Sequence, residues 1–264
     1  MKYTYNTLKH LLIVLTWTTA MVHLGSCTDD ETPSGTENLA SYISNSNLDI
    51  QLDSLIACAA GGQNGILADP GNTAISIIYL PLEDISNIRY YETESMPENP
   101  SDYTAYQEIQ LPQTPLLNGF LRKFNRETPQ EAVYGIVSFE RNGKIFLSNP
   151  IHLKQNTAPT DYSTAVSVDT ATPLMPVFSW QTLDSPDNAI YFQVVSDEAG
   201  NLLSGTYTIT PTFQFYNLDN VVLNVNDITP APTLNAGETY LFTVLGVSLD
   251  NWVNLHADVS FTAE

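Results

Sequence analysis

The chain has 264 residues, and its 9 Lys and Arg against 29 Asp and Glu give a formal net charge of −20. With 43% hydrophobic residues, including 14 Tyr and 10 Phe, it is too rich in core-forming side chains to be wholly disordered. A charge this negative is repelled by phosphate backbones and anionic headgroups, which argues against nucleic acid as a partner and against electrostatic docking to membranes.

Residues 1–26 have the composition of a secretory signal peptide. Lys2 and Lys9 give a positive start, and the apolar stretch that opens at Leu11 runs unevenly to Leu24. Threonines and a histidine interrupt this stretch, so it is too short and too polar to span a hydrocarbon core of about 30 Å. We expect it to be removed. The formal charge of the mature chain would then be −22, because two lysines and no acids are lost.

The signal-peptide pattern ends in Leu24-Gly25-Ser26-Cys27, with two small residues between a leucine and a cysteine. This run resembles the lipobox of bacterial lipoproteins. The resemblance implies that a diacylglyceryl group is attached to the Cys27 thiol, that the chain is cut before it, and that the new amine is acylated. Because each buried methylene contributes about 0.8 kcal/mol, two or more acyl chains hold a protein at a membrane lastingly.

Four polar residues stand directly after the cysteine: Thr28, Asp29, Asp30 and Glu31. They resemble the acidic export tag of Bacteroidota lipoproteins, which implies a lipid-anchored location on the outer membrane, facing the cell exterior. The alternative is that these acids only begin a solvated spacer. Polar residues continue, and we predict a flexible tether over residues 27–45.

Strand patterns dominate the remaining chain, and no sustained helical period interrupts them. A polar break at Gln155 separates two predicted domains, residues 46–155 and residues 162–264, each of ordinary single-domain size. About seven short strands in about 100 residues predict a β-sandwich in the second domain. Parallel α/β folds need interleaved helices. The predicted fold class is therefore all-β, with two sandwiches in tandem.

Two local patterns in the first domain are specific. Apolar residues fall on one parity from Leu48 to Cys58, which predicts a single half-buried edge strand. Two β-rich runs between Tyr134 and Leu153 flank Asn142-Gly143, which tolerates the positive φ of a tight turn and so predicts a hairpin.

The second domain carries a leucine, a turn glycine and a tyrosine at Leu234, Gly237 and Tyr240. This segment resembles the tyrosine corner of fibronectin type III domains, an immunoglobulin-like family. The resemblance implies that the Tyr240 phenol reaches back to a backbone group while its ring fills the edge of the core. Trp180 similarly resembles the family's strand-B tryptophan, which packs at the centre. The first domain matches less well, because no tryptophan occupies its strand B.

Motifs for catalysis or metal binding are absent from the sequence. After signal removal only His152 and His256 remain, on separate predicted domains, so we do not expect zinc. No G-x-S-x-G elbow or phosphate-binding glycine run is present. Glycoside hydrolysis needs only two acids facing each other across about 5 to 10 Å, so this activity stays open as an alternative. We predict no catalytic residue and no enzyme.

The second half of the chain has an unusual charge pattern, because no Lys or Arg follows Lys154 while twelve acids do. A solvated acidic surface is one interpretation. The other is Ca²⁺ held by loop oxygens, since hard cations prefer clustered carboxylates and carbonyls. Two loops offer such oxygens: Asp184, Asp187 and Asn188 in one, and Asp197, Glu198 and Asn201 in the other. We predict no cofactor, and Ca²⁺ stays open as the alternative.

Three aromatic residues form a possible ligand platform. Tyr90 and Tyr91 are strand neighbours that point to opposite faces, which predicts that one ring is exposed. Trp252 stands beside a turn and offers a flat surface for a sugar ring or a protein partner. The alternative is that these rings pack inside the sandwich.

These observations predict a non-catalytic lipoprotein of the outer membrane and cell surface that acts as a binding or scaffold module. Its partners would be the membrane, through the lipid, and a glycan or protein at the surface. One alternative is a glycan-binding accessory lipoprotein resembling those of polysaccharide-utilisation systems. The other, from a different class, is a carboxylate-dependent glycoside hydrolase.

Overall fold

Nineteen strands and one helix make up the part of the chain that the computed structural model describes, residues 37–62, 64–68, 75–182, 187–226 and 232–264. The helix is α1, Leu39–Ser46, and single 3-10 turns occupy Gly65–Leu67, Tyr103–Ala105 and Leu117–Gly119. The first half contains β1 Asp49–Leu55, β2 Ala57–Gly61, β3 Ile75–Tyr79, β4 Ser86–Thr93, β5 Tyr106–Glu108, β6 Gln113–Leu116, β7 Leu121–Arg126, β8 Val133–Arg141, β9 Lys144–Ser148 and β10 Ile151–Leu153. The second half contains β11 Asp161–Ser163, β12 Val166–Asp169, β13 Val177–Trp180, β14 Asn188–Asp197, β15 Leu202–Thr208, β16 Thr212–Gln214, β17 Val221–Asn224, β18 Thr239–Ser248 and β19 Val253–Thr262.

The strands form four sheets, two in each half. Sheet I has the order β1-β9-β8-β4-β5, with β10 also paired to β8, and sheet II has the order β2-β3-β7-β6. Sheet III has the order β11-β19-β18-β14-β15-β17, and sheet IV has the order β12-β13-β16. In each half the first strand runs parallel to a late strand, β1 to β9 and β11 to β19. This is the strand order of immunoglobulin-like sandwiches. The prediction of an all-β chain with two such sandwiches in tandem is confirmed.

The sheets lie on one another in the order I, II, III, IV, and α1 covers the outer face of sheet I. Each gap holds its own apolar core. In β3, Ile77 and Tyr79 enter the core between sheets I and II, whereas Ile78 enters the core between sheets II and III. In β14, Val194 and Val195 likewise face opposite cores. Central strands are thus buried on both faces, which explains their unbroken apolar runs.

The segment before the first sandwich departs from the prediction in two ways. Helix α1 lies inside the predicted flexible tether: Asn38 caps it by accepting from the Ser41 N–H at 2.8 Å, and Leu39 and Tyr42 are buried against sheet I. The predicted single edge strand is wrong as well, because the chain breaks at Ile56 and passes from sheet I to sheet II. Among the described residues, no helix is both long and apolar enough to cross a bilayer.

The hairpin prediction is confirmed. Strands β8 and β9 pair antiparallel up to Arg141 and Lys144, and Asn142 and Gly143 both have positive φ, of 51° and 70°. Those angles are what a two-residue turn of this hand requires. Beyond Ser148 the chain kinks, and β10 returns to pair with the start of β8.

Candidate functional site

The predicted lipidation site lies outside the described residues. This applies to Cys27 and to the four tag residues Thr28, Asp29, Asp30 and Glu31. The lipid anchor and the export tag therefore stay predictions.

The predicted aromatic platform is wrong, because Tyr90, Tyr91 and Trp252 are 1%, 0% and 0% exposed. Sheet I is covered on both faces, so the last four residues of β4, from Tyr90 to Thr93, are buried on both parities. Tyr90 lies in the core between sheets I and II, and the Tyr91 ring stacks on Tyr42 of α1 at 6.2 Å. None of the three rings can present a face to a sugar.

The two residues predicted to be structural lie in the core between sheets III and IV. Trp180 contacts the rings of Tyr191 and Phe242, with centroids 5.3 and 5.9 Å away. The Tyr240 hydroxyl accepts a hydrogen bond from the Asn235 N–H at 3.0 Å, as the tyrosine corner implies. The bond ties the loop before β18 to the core.

The turn between β18 and β19 joins the two sandwiches. It belongs to sheet III, yet its Trp252 ring lies in the core between sheets I and II. The indole N–H donates to the Ala158 carbonyl at 2.8 Å, and the Ala59 N–H donates to the Asn251 carbonyl at 3.0 Å. This turn therefore closes the side of the first sandwich at β2.

A half-buried charge cluster holds the same turn. The Asp250 Oδ2 atom lies 2.7 Å from Lys154 Nζ and 3.0 Å from His152 Nδ1, and Ser248 Oγ donates to Oδ1. Burial alone would raise the pKa of this carboxyl group, but hydrogen bonds from His152, Lys154 and Ser248 hold it well below its usual range. Asp250 therefore stays ionised and clamps the first sandwich to the second.

Asp250→Asn is expected to lower the free energy of unfolding by about 1.5–3 kcal/mol at neutral pH, since it weakens hydrogen bonds to a charged group. A depressed folded pKa means that the stabilisation is fully present above the unfolded carboxyl pKa of about 3.9 and is lost as the pH falls below it. Urea unfolding at about pH 7 and about pH 3 should show a smaller difference between wild type and variant at the acidic pH. The exposed Asp219→Asn change serves as control, and equal differences at both pH values would contradict the clamp.

A second close contact between the sandwiches is built on β19. Asp258 Oδ1 accepts from Thr243 Oγ1 at 2.6 Å and lies 3.1 Å from His256 Nε2, while Oδ2 is buried without a hydrogen-bond partner. Gly65 of the first sandwich covers this carboxylate with φ of +51°, and a Cβ there would overlap Oδ2. The contact therefore requires glycine at this position.

The junction groove is an open cleft of about 550 Å³ between the sandwiches, next to this contact. From the first sandwich it is lined by the turn Leu117-Asn118-Gly119, whose φ angles of 50°, 51° and 90° are all left-handed. Such angles are costly for leucine. The turn is held by its partner, because Asn118 Nδ2 donates to the Ala199 carbonyl and to Asn201 Oδ1, both at 2.9 Å.

From the second sandwich the groove is lined by the ends of β14, β18 and β19 and by the turn after β14. The two Asp197 oxygens accept from the N–H and Nδ2 of Asn201, at 2.8 and 2.7 Å, and these hydrogen bonds lower the pKa of Asp197. The carboxylate is thus ionised but already bonded within its turn, whereas Glu198 is exposed. The lining residues are Ile66, Pro115, Leu116, Leu117, Asn118, Ser196, Asp197, Glu198, Gly200, Thr239, Tyr240, Leu241 and Ser260.

The two loops considered for calcium do not gather a ligand set in the described residues. Asp184 falls outside those residues, Asp187 is exposed, and Asn188 accepts from Asn254 Nδ2 at 3.2 Å. In the part of the chain that the structure describes, no three His, Cys, Asp or Glu side chains come close enough to hold a metal ion together.

A second cleft, of about 560 Å³, opens at the end of the first sandwich and contains an ion pair. Glu92, only 5% exposed, is held by Arg126 through two bonds of 2.9 and 3.1 Å and accepts from the Tyr90 hydroxyl at 3.0 Å. These bonds occupy the carboxylate. The geometry gives it a structural role, joining β4 of sheet I to β7 of sheet II.

No family model matches the chain, and no curated protein matches it either. Among solved structures, it is similar to the FN1-FN3 domains of chicken CNTN1, at 12% identity and a TM-score of 0.29, over 82% of this chain. The match covers 65% of that structure's chain.

Proposed function

We propose that this protein is a non-catalytic lipoprotein of the outer membrane, anchored through Cys27, whose two fused sandwiches serve as a rigid scaffold and binding module at the cell surface. The observation that carries the proposal is the continuous apolar core between sheets II and III. Because cores are close-packed, a shared core fixes one sandwich against the other. A module with that property keeps its loops and grooves in a constant arrangement.

Three acids at contacts between sheets support the same role. Asp250 is engaged by groups of the first sandwich, Asp258 lies against Gly65, and Glu92 is bonded to Arg126. Asp250 and Glu92 use their hydrogen bonds to join parts of the fold, and Asp258 is packed beneath Gly65 of the first sandwich. The glycan-binding alternative loses its predicted platform, since the three rings named for it are buried.

The anchor is tested by labelling cells with radiolabelled palmitate. We expect label in the wild-type chain and none in Cys27→Ala. The matched control is Cys58→Ala, because Cys58 is the other cysteine and burial raises the pKa of its thiol to about 12, which makes it unreactive. The control should keep its label. An unlabelled wild-type chain, or a labelled Cys27→Ala variant, would remove the lipoprotein proposal.

A further inference from the structure

The junction groove combines an apolar floor with an acidic wall. Leu117 and Leu241 provide apolar surface, and Asp197 and Glu198 stand on the side of the second sandwich. Among the lining residues there is no Lys, Arg or His. Ligand-binding sites are common in clefts between domains, where apolar surface is combined with a few charged groups. This cleft favours a ligand with both apolar and cationic parts.

A buried carboxylate lies further inward than the groove on β19, under Gly65 and with His256 Nε2 3.1 Å from its Oδ1 atom. Ser260 lines the groove, and Asp258 lies two residues earlier on β19, on the same face of sheet III. Asp258 is 7% exposed, and its Oδ2 atom has no hydrogen-bond partner. Ile66 lines the groove above it, beside the Gly65 that covers it. The acidic wall of Asp197 and Glu198 therefore supplies the negative potential that a cation in the groove would meet.

The second half of the chain has no Lys or Arg side chain that could occupy the groove as its cation. No Lys or Arg follows Lys154, whereas twelve acids do, so the field around this wall is negative. A second copy of the chain is a poor occupant because it brings the same excess of acids. Complementarity of charge therefore selects a basic partner.

We propose that the junction groove binds a short segment of another protein that carries Lys or Arg beside apolar side chains. The apolar side chains lie on Leu117 and Leu241, and the cation lies between the acidic wall and Ser260. This inference deepens the proposed function and rests on its binding role. It does not depend on the lipid, so the peptide-binding experiment and the palmitate experiment can each fail without the other.

The test uses the purified full chain carrying Cys27→Ala and a short fluorescein-labelled peptide of alternating arginine and leucine. Fluorescence anisotropy at about 0.15 M salt gives the dissociation constant. We expect Glu198→Lys to weaken binding by about tenfold or more. Asp219→Lys is the matched control, because it changes the net charge equally at an exposed turn away from the groove, and it should weaken binding by about twofold or less. Leu241→Ser tests the floor and should also weaken binding about tenfold.

A peptide with glutamate in place of arginine is expected to bind about tenfold more weakly or not at all. This comparison of two peptides uses the same protein, so it tests whether the peptide needs a positive charge even where a groove variant folds poorly. Equal losses in Glu198→Lys and Asp219→Lys would mean diffuse attraction to an acidic surface and would overturn the proposal. Absence of binding to the wild-type chain, or equal binding of both peptides, would overturn it as well.

Discussion

Trp252→Ala is expected to lower the free energy of unfolding by about 3–5 kcal/mol, the usual range for truncating a buried tryptophan. The ring is fully buried in the core of the first sandwich although its turn belongs to the second. Its removal leaves a cavity there and deprives the Ala158 carbonyl of its donor. Urea unfolding followed by circular dichroism and by fluorescence measures the loss.

The control for this change is Trp252→Phe, which keeps most of the apolar volume and loses the indole N–H. We expect it to cost about half as much as the alanine variant, because the cavity is smaller. A loss below about 1 kcal/mol in Trp252→Ala would contradict the role of this ring in closing the first sandwich.

Arg126→Met is expected to cost about 3 kcal/mol, since it leaves the Glu92 carboxylate buried without its counter-charge. The figure lies at the low end of the range for buried pairs because the Arg126 side chain is 24% exposed and water can reach it. Unfolding by urea at neutral pH is again the measurement.

The double variant Glu92→Gln with Arg126→Met removes both charges, and we expect it to recover about half of the loss. Arg141→Met is the matched surface control, because its guanidinium donates to the exposed Glu83 carbonyl at 2.8 Å, and it should change stability by less than about 0.5 kcal/mol. If Arg126→Met behaved like Arg141→Met, the pair would not join the two sheets.

Local features of the fold could be predicted from the sequence because neighbouring residues determine them. Asn142-Gly143 fixes a turn through its own backbone preferences, and the Tyr240 corner spans only a few residues. The stacking of four sheets is a long-range property. The apolar residues of β3 and β14 on both parities indicate burial on both faces, but they do not say which surface lies opposite.

Helix α1 illustrates why the platform prediction was wrong. It has eight residues, of which Leu39 and Tyr42 are buried, which is too little to show a helical period against a polar background. Without it, one face of β4 appears free, which is the reason that the sequence predicts one exposed ring at Tyr90-Tyr91. A helix this short is only marginally stable by itself. It therefore forms because sheet I offers it an apolar surface to pack on.

The junction contacts were beyond sequence reasoning for a different reason. His152 and Asp250 are 98 positions apart, and Asn118 and Asn201 are 83 apart, so no spacing rule relates them. The left-handed backbone of Leu117 cannot be predicted from its residue type, because leucine does not favour such a turn. The one available hint was the run Asp250-Asn251-Trp252, where polar groups and a large ring share a tight turn.

The parallel pairing of β11 with β19 has a mechanical consequence. Asp161, Tyr162 and Ser163 lie beside Leu255, His256 and Ala257 in the same direction. Tension applied to opposite ends of this sandwich would slide the two strands past each other, so that their bonds share the load and must rupture together rather than unzip singly. The same holds for β1 and β9. A sandwich built in this way resists being pulled open from its two ends.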